Sequence, residues 1–138
     1  MTLDAHSLNE LLRALTPVLW LYMAGVAWTL VYDTIYAHQD KSDDQLIGVK
    51  STALRFGSDS KQWFTGFAAI MLSGLTVTGV VHQLNPVYYF ALLPVAAHLY
   101  WQIRTLDINN GPDCAVKFRA NHFTGMMVWI ALLLGVLY

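Results

Sequence analysis

The stretch QWFTGFAAIMLSGLTVTGVVHQLNPVYYFALLPVAAHLYWQI, residues 62–103, carries no Asp, Glu, Lys or Arg over 42 positions. A helix crossing the hydrocarbon layer of a bilayer needs about 20 apolar residues, so this run is long enough for two crossings. His82-Gln83-Leu84-Asn85-Pro86 is the polar, proline-containing place for it to turn back. Working outward, residues 14–32 and 120–138 are free of charge as well. The pattern predicts an all-α polytopic membrane protein, a single membrane domain over residues 1–138. Its four spans lie near 14–36, 62–82, 87–105 and 120–138. Composition agrees, since 56% of the chain is apolar and only 12% charged, about half the charged share of soluble domains. A soluble bundle would need a polar face on each helix, and these segments have none.

Seven of the eight basic residues fall on one side of this arrangement: Lys41, Lys50, Arg55 and Lys61 in a 38–61 cap loop, and Arg104, Lys117 and Arg119 in a 104–119 loop. The positive-inside rule makes that side cytoplasmic. Basic residues this sparse, with a formal charge of −1, give no surface for nucleic acid. The bilayer is the expected partner. Cys114 is the only cysteine, which excludes a disulfide framework or a cysteine-rich metal cluster. The start, MTLDAHSLNELL, lacks the basic-then-apolar order of a secretory signal and reads as an amphipathic surface helix. Tyr32, Trp63, Tyr88, Trp101 and Tyr138 stand near span ends, where an interfacial belt places aromatics.

The acidic segment before the 62–103 run is YDTIYAHQDKSDDQLIGVKSTALRFG, Tyr32 to Gly57. Four carboxylates, Asp33, Asp40, Asp43 and Asp44, occupy twelve residues of it. No Pro or Gly interrupts 33–44, so the first helix is expected to continue through it. On such a helix Asp33, Asp40 and Asp44 share one stripe. Asp40 and Asp44, at i and i+4, are ~6 Å apart at Cβ and repel by roughly 3 kcal/mol at an effective dielectric near 20. A divalent cation reverses the sign of that interaction. Mg²⁺ takes few carboxylates and shares phosphate oxygens, so Asp-x-x-x-Asp at a membrane surface points to a Mg²⁺–diphosphate site, with Lys50 and Arg55 as phosphate contacts. A solvated acidic face is the plain alternative. Gly48 and Gly57 bracket VKSTALRF, which suits a short interfacial helix. Residues 40–51 do not form an EF-hand, because Gln45 and Ser51 stand where Gly and Glu are required. Gly48 to Thr52 lacks the upstream glycine and strand of a P-loop. His38 either touches substrate or is a hydrogen-bonded interfacial histidine. Asn121, read at the start of the last span, either caps it or reaches the site.

This segment, with Tyr32-Asp33, the Asp40/Asp44 pair and Gly48-Val49-Lys50-Ser51-Thr52, resembles the second aspartate-rich region of the UbiA-type intramembrane prenyltransferases. FRANHFTG, Phe118 to Gly125, resembles the start of their last helix. The resemblance implies a nine-helix bundle around a lipid-facing cavity, of which the four spans here correspond to helices six to nine. It implies Mg²⁺, a polyprenyl diphosphate donor and, from the wording of Tyr32 to Asp40, 4-hydroxybenzoate as acceptor in ubiquinone biosynthesis. Another aromatic acceptor, or a noncatalytic four-helix module, are the alternatives. Residue by residue, Asp40 and Asp44 take the catalytic metal-ligand positions, with Asp43 beside them. Lys50 takes a diphosphate contact, and Asp33, Tyr36, Arg55 and Asn121 substrate positions. A bacterial inner membrane is implied, or a mitochondrial one in a eukaryote, with the motif loop on the cytoplasmic or matrix side. The family's first motif, Asn-Asp-x-x-Asp, does not occur in this sequence. The expectation is therefore little transferase activity from this chain alone, and a partner chain or longer protein supplying the other helices.

Overall fold

The structure, a computed structural model, describes residues 4–138. It is all-helical among those residues: α1 (Ala5–Gln39), α2 (Lys41–Ile47), α3 (Thr52–Phe56) with a 3-10 turn at Gly57–Asp59, α4 (Ser60–Val81), α5 (Pro86–Thr105) and α6 (Gly111–Leu137). The four long helices form a ring in which α1 packs on α4, α4 on α5, α5 on α6, and α6 back on α1. Ala24, Ala27, Ala68, Met71, Leu75, Tyr88, Leu92, Val95, Leu99 and Ala131 fill the centre. Large apolar side chains also cover the outside, such as Val136 at 73% and Phe90 at 70% exposure. That surface suits lipid, where helices gain from close packing rather than from hiding apolar area. Gly74 allows one such approach: a Cβ there would lie 2.9 Å from the Trp20 carbonyl oxygen.

Three segments are long and apolar enough to cross a membrane: Ala5–Gln39, Thr52–Val81 and Gly111–Leu137. The helix expected near 87–105 is present as α5. Pro94, His98, Gln102 and its Tyr and Trp side chains keep its hydropathy low. The expected 82–86 hairpin is present, and Asn85 builds it. Its Oδ1 accepts from the Val87 amide at 2.8 Å, and its Nδ2 donates to the Leu134 carbonyl at 2.8 Å.

Three boundaries differ from expectation. The start is not a separate surface helix. From Ala5 onward it is the first part of α1, with Asp4 capping through the Ser7 amide at 2.8 Å; residues 1–3 lie outside the described region. The last helix begins at Gly111, not near 120, because Asn110 caps it by accepting from the Asp113 amide at 3.1 Å and Pro112 sits in its first turn, where proline is favourable. Asn121 is therefore inside α6 and is no cap. Tyr88 is fully buried and donates its hydroxyl to the Leu75 carbonyl at 2.7 Å, so it is a core residue and not part of an interfacial belt.

Candidate functional site

The end of the ring where α1 and α5 finish and α4 and α6 begin carries the acidic segment. The single continuous helix expected over 33–44 is broken: Asp40 takes φ −106° and ψ 7° and serves as both the C-cap of α1 and the N-cap of α2. Short polar side chains such as Asp and Ser favour helix boundaries over interiors, and Asp40, Ser42, Asp43 and Asp44 crowd this point. Asp33 consequently does not share one helical stripe with Asp40 and Asp44. The latter two remain linked, since the Asp44 amide donates to the Asp40 carbonyl at 2.8 Å. Asp43 and Asp44 lie in the first turn of α2, where the helix dipole favours negative charge. Gly48, at φ 77°, closes α2 in the left-handed conformation that glycine adopts without strain.

Asp33, Asp40 and Asp43 are exposed and Asp44 is half-buried. Among the described residues no side-chain hydrogen bond or ion pair engages any of the four carboxylates; the ion pairs found are His6–Glu10 and Lys117–Asp113. No three His, Cys, Asp or Glu side chains among these residues are gathered into a metal cage. Unpaired, water-accessible oxygen donors in a set of two fit Mg²⁺, which completes its shell with water and phosphate. They do not fit a closed, all-protein site.

The short helix expected over 49–56 forms only from Thr52, because Ser51 caps it; Lys50 therefore precedes α3 and Arg55 lies in its last turn, both exposed. Ser51 caps α3 by accepting from the Leu54 amide at 3.3 Å, and the Thr34 hydroxyl donates to Thr52 at 2.8 Å, fastening α3 beside Asp33. His38 faces away from the acids. Its Nε2 lies 2.8 Å from the Ser60 hydroxyl, which itself donates to the Gly57 carbonyl at 2.7 Å. The hydroxyl has one hydrogen, so Nε2 carries the ring proton. His38 is the hydrogen-bonded histidine of the two readings.

Tyr36 is about half exposed and lies 4.9 Å, ring to ring, from Phe118, which also meets Tyr32 at 6.2 Å; Trp28 continues the wall 5.4 Å from Tyr32. A cleft of about 530 Å³ opens here between α1 and α6, lined by Trp28, Tyr32, Phe118, Arg119, Asn121, His122 and Phe123. Asn121 is the buried polar residue of this lining, 5% exposed. Its Oδ1 accepts from Trp28 Nε1 at 2.8 Å, while its Nδ2 donates to Gln102 Oε1 at 2.9 Å and to the Lys117 carbonyl at 3.0 Å. Both amide hydrogens are thereby spent inside the bundle. Sequence reasoning missed this aromatic wall. The signal was available: Tyr32 and Tyr36 follow Trp28 at helical spacing of four, which puts all three on one face.

The sequence profile of the UbiA prenyltransferase family matches residues 5–133, nearly the whole chain. The chain belongs to that family, a class of helical prenyltransferase. It is similar to the protein named "4-hydroxybenzoate polyprenyltransferase, mitochondrial" from Aedes aegypti, with 52% identity over 86% of this chain and 27% of the relative. The Homo sapiens protein of the same name is 53% identical over 86% of this chain and 32% of its own length. The Arabidopsis thaliana one is 49% identical over 86% of this chain and 29% of its length. The chain thus spans about a third or less of the relatives it matches. No solved structure matches it.

Proposed function

We propose that this chain forms one wall of a membrane-embedded site that transfers a polyprenyl group from polyprenyl diphosphate to 4-hydroxybenzoate, with Mg²⁺ held by Asp40 and Asp44. The observation that carries the reading is the pair Asp40 and Asp44, joined by one backbone hydrogen bond and with carboxylates that make no side-chain hydrogen bond or ion pair among the described residues, in a chain about half identical to enzymes of that name. When bound, Mg²⁺ supplies charge stabilisation to the departing diphosphate. Asp43 adds negative charge beside the pair. Lys50 and Arg55 take phosphate oxygens, and Asp33 and Tyr36 line the way from the metal toward the aromatic wall. Trp28, Tyr32 and Phe118 keep water from the allylic cation and present it with π faces. Asn121 serves by fixing Trp28. In this reading α5 also crosses the bilayer, giving four spans. The 38–61 segment faces the cytoplasm or matrix at an inner membrane. The facing aspartate-rich wall comes from helices outside this chain.

The test is Asp40→Ala with Asp44→Ala in the complete protein that carries this chain, assayed in membranes for Mg²⁺-dependent prenylation of 4-hydroxybenzoate. Loss of transfer with normal membrane accumulation supports the assignment. Full metal-dependent transfer by the double variant sinks it.

A further inference from the structure

Lys41 lies between the two proposed metal ligands, where a lysine is expected to balance the acids or meet the phosphates. It does neither. Among the described residues no carboxylate lies within ion-pair distance of its ammonium. Its Nζ donates instead to the Ile108 carbonyl at 2.9 Å and to Asn109 Oδ1 at 2.7 Å, on the loop joining α5 to α6. Two features give this contact weight. First, α2 buries none of its residues, and Leu46 and Ile47 are 84% and 74% exposed. Among the described residues, the Lys41 contacts are the only side-chain hydrogen bonds joining α2 to the rest of the protein. Second, the loop that receives them is firmly built. The Asn109 amide donates to Asp107 Oδ1 at 2.9 Å, the Asp107 amide to Asp113 Oδ2 at 2.8 Å, and Lys117 to Asp113 Oδ1 at 2.9 Å. Leu106, 2% exposed, anchors the loop in the core beside Val31, Ile35 and Phe64.

We infer that Lys41 is a positioning residue: it fastens the otherwise uncovered α2 to the α5–α6 loop and so sets the relation of Asp44 to Asp40. The inference rests on the metal–diphosphate reading of those two aspartates. A ligand carried on an untethered turn must be ordered when the metal binds, and that ordering lowers affinity. Supporting partners behind metal ligands are typically worth 10–100-fold in affinity or activity.

The test compares Lys41→Met, Lys41→Arg, Asn109→Ala and the Lys41→Met/Asn109→Ala pair in the complete protein, beside Asp40→Ala/Asp44→Ala. Three measurements are made: amide exchange over residues 42–48 without metal, Mn²⁺ binding by electron paramagnetic resonance, and the Mg²⁺ dependence of transfer. Lys41→Met is expected to speed exchange in α2 and to raise the Mn²⁺ and Mg²⁺ concentrations for half-saturation about tenfold, with kcat at saturating Mg²⁺ little changed. Lys41→Arg restores most of this. Asn109→Ala gives a smaller shift in the same direction, and the pair is no worse than Lys41→Met alone. The inference is overturned if Lys41→Met leaves metal half-saturation unchanged, or raises only the KM for the diphosphate while Asn109→Ala is silent, as a direct phosphate contact would. Retained transfer in the Asp40/Asp44 variant would instead remove the underlying functional reading, and the exchange measurement would still report the tether.

Discussion

Two polar regions of this molecule treat their side chains in opposite ways. In the middle of the ring, Trp28, Asn121, Gln102, Thr124 and His98 are knitted across α1, α6 and α5. Gln102 Nε2 lies 3.0 Å from His98 Nδ1 and 3.1 Å from Thr124 Oγ1, and its Oε1 takes the Asn121 amide. Gln102 and Thr124 are fully buried. At the end of the ring, Asp33, Asp40, Asp43 and Asp44 have no side-chain partner among the described residues. The first set is satisfied from within, as buried polar groups in a low dielectric must be. The second is exposed or half-buried and makes no such bonds among the described residues. The polar residues of these two regions thus divide into those that join helices and those that stay open, and internal hydrogen bonding tells them apart.

The sharpest way to break this contrast is to neutralise the open carboxylates. Asp40→Asn with Asp44→Asn should lower prenyl transfer by the complete protein by at least about 100-fold, the scale of losing a dominant electrostatic contact in a reaction. The thermal midpoint in detergent should not fall, because no internal bond is lost and a like-charge repulsion is removed. A large loss of stability would show that the acids hold the fold together. Next, Gly74→Val forces α1 from α4 at the Trp20 carbonyl and should destabilise by about 1–3 kcal/mol, read by unfolding in mixed micelles. Removing the hub of the closed network, Gln102→Leu, should cost about 1–2 kcal/mol by stranding Asn121 and Thr124. Activity per folded molecule and metal half-saturation should stay near normal. A shift in metal dependence here would mean the two regions are coupled. Least costly is Asn85→Ala, at about 0.5–1 kcal/mol for a lost cap, with no effect on metal dependence, measured by the same unfolding assay.

The helices were legible before any coordinates because their signals are local. The charge-free runs required apolar helices, and the Asn-Pro at 85–86 and the glycines at 48 and 57 marked the turns where they are found. The acidic pair was legible too, as a spacing of four. Errors arose where competing local signals had to be ranked. The 104–119 segment reads as a loop, yet Asn110-Gly111-Pro112 within it start α6, since Asn caps and Pro opens a helix. The absence of Pro and Gly over 33–44 suggested an unbroken helix, but the crowded short polar side chains end it at Asp40.

By itself, then, the sequence determined the chain's class: an apolar all-helical chain with a charged, carboxylate-bearing segment, because hydropathy and capping act within a few residues of their source. Only the tertiary structure decided which polar groups are spent and which are free. Trp28 finds Asn121 across 93 residues, and Lys41 finds the α5–α6 loop across 67. Such choices depend on which helices lie side by side, and in a low-dielectric interior a donor takes the partner that packing brings within reach. That is why Asn121 is an internal tie, His38 faces Ser60, and the aspartates remain open.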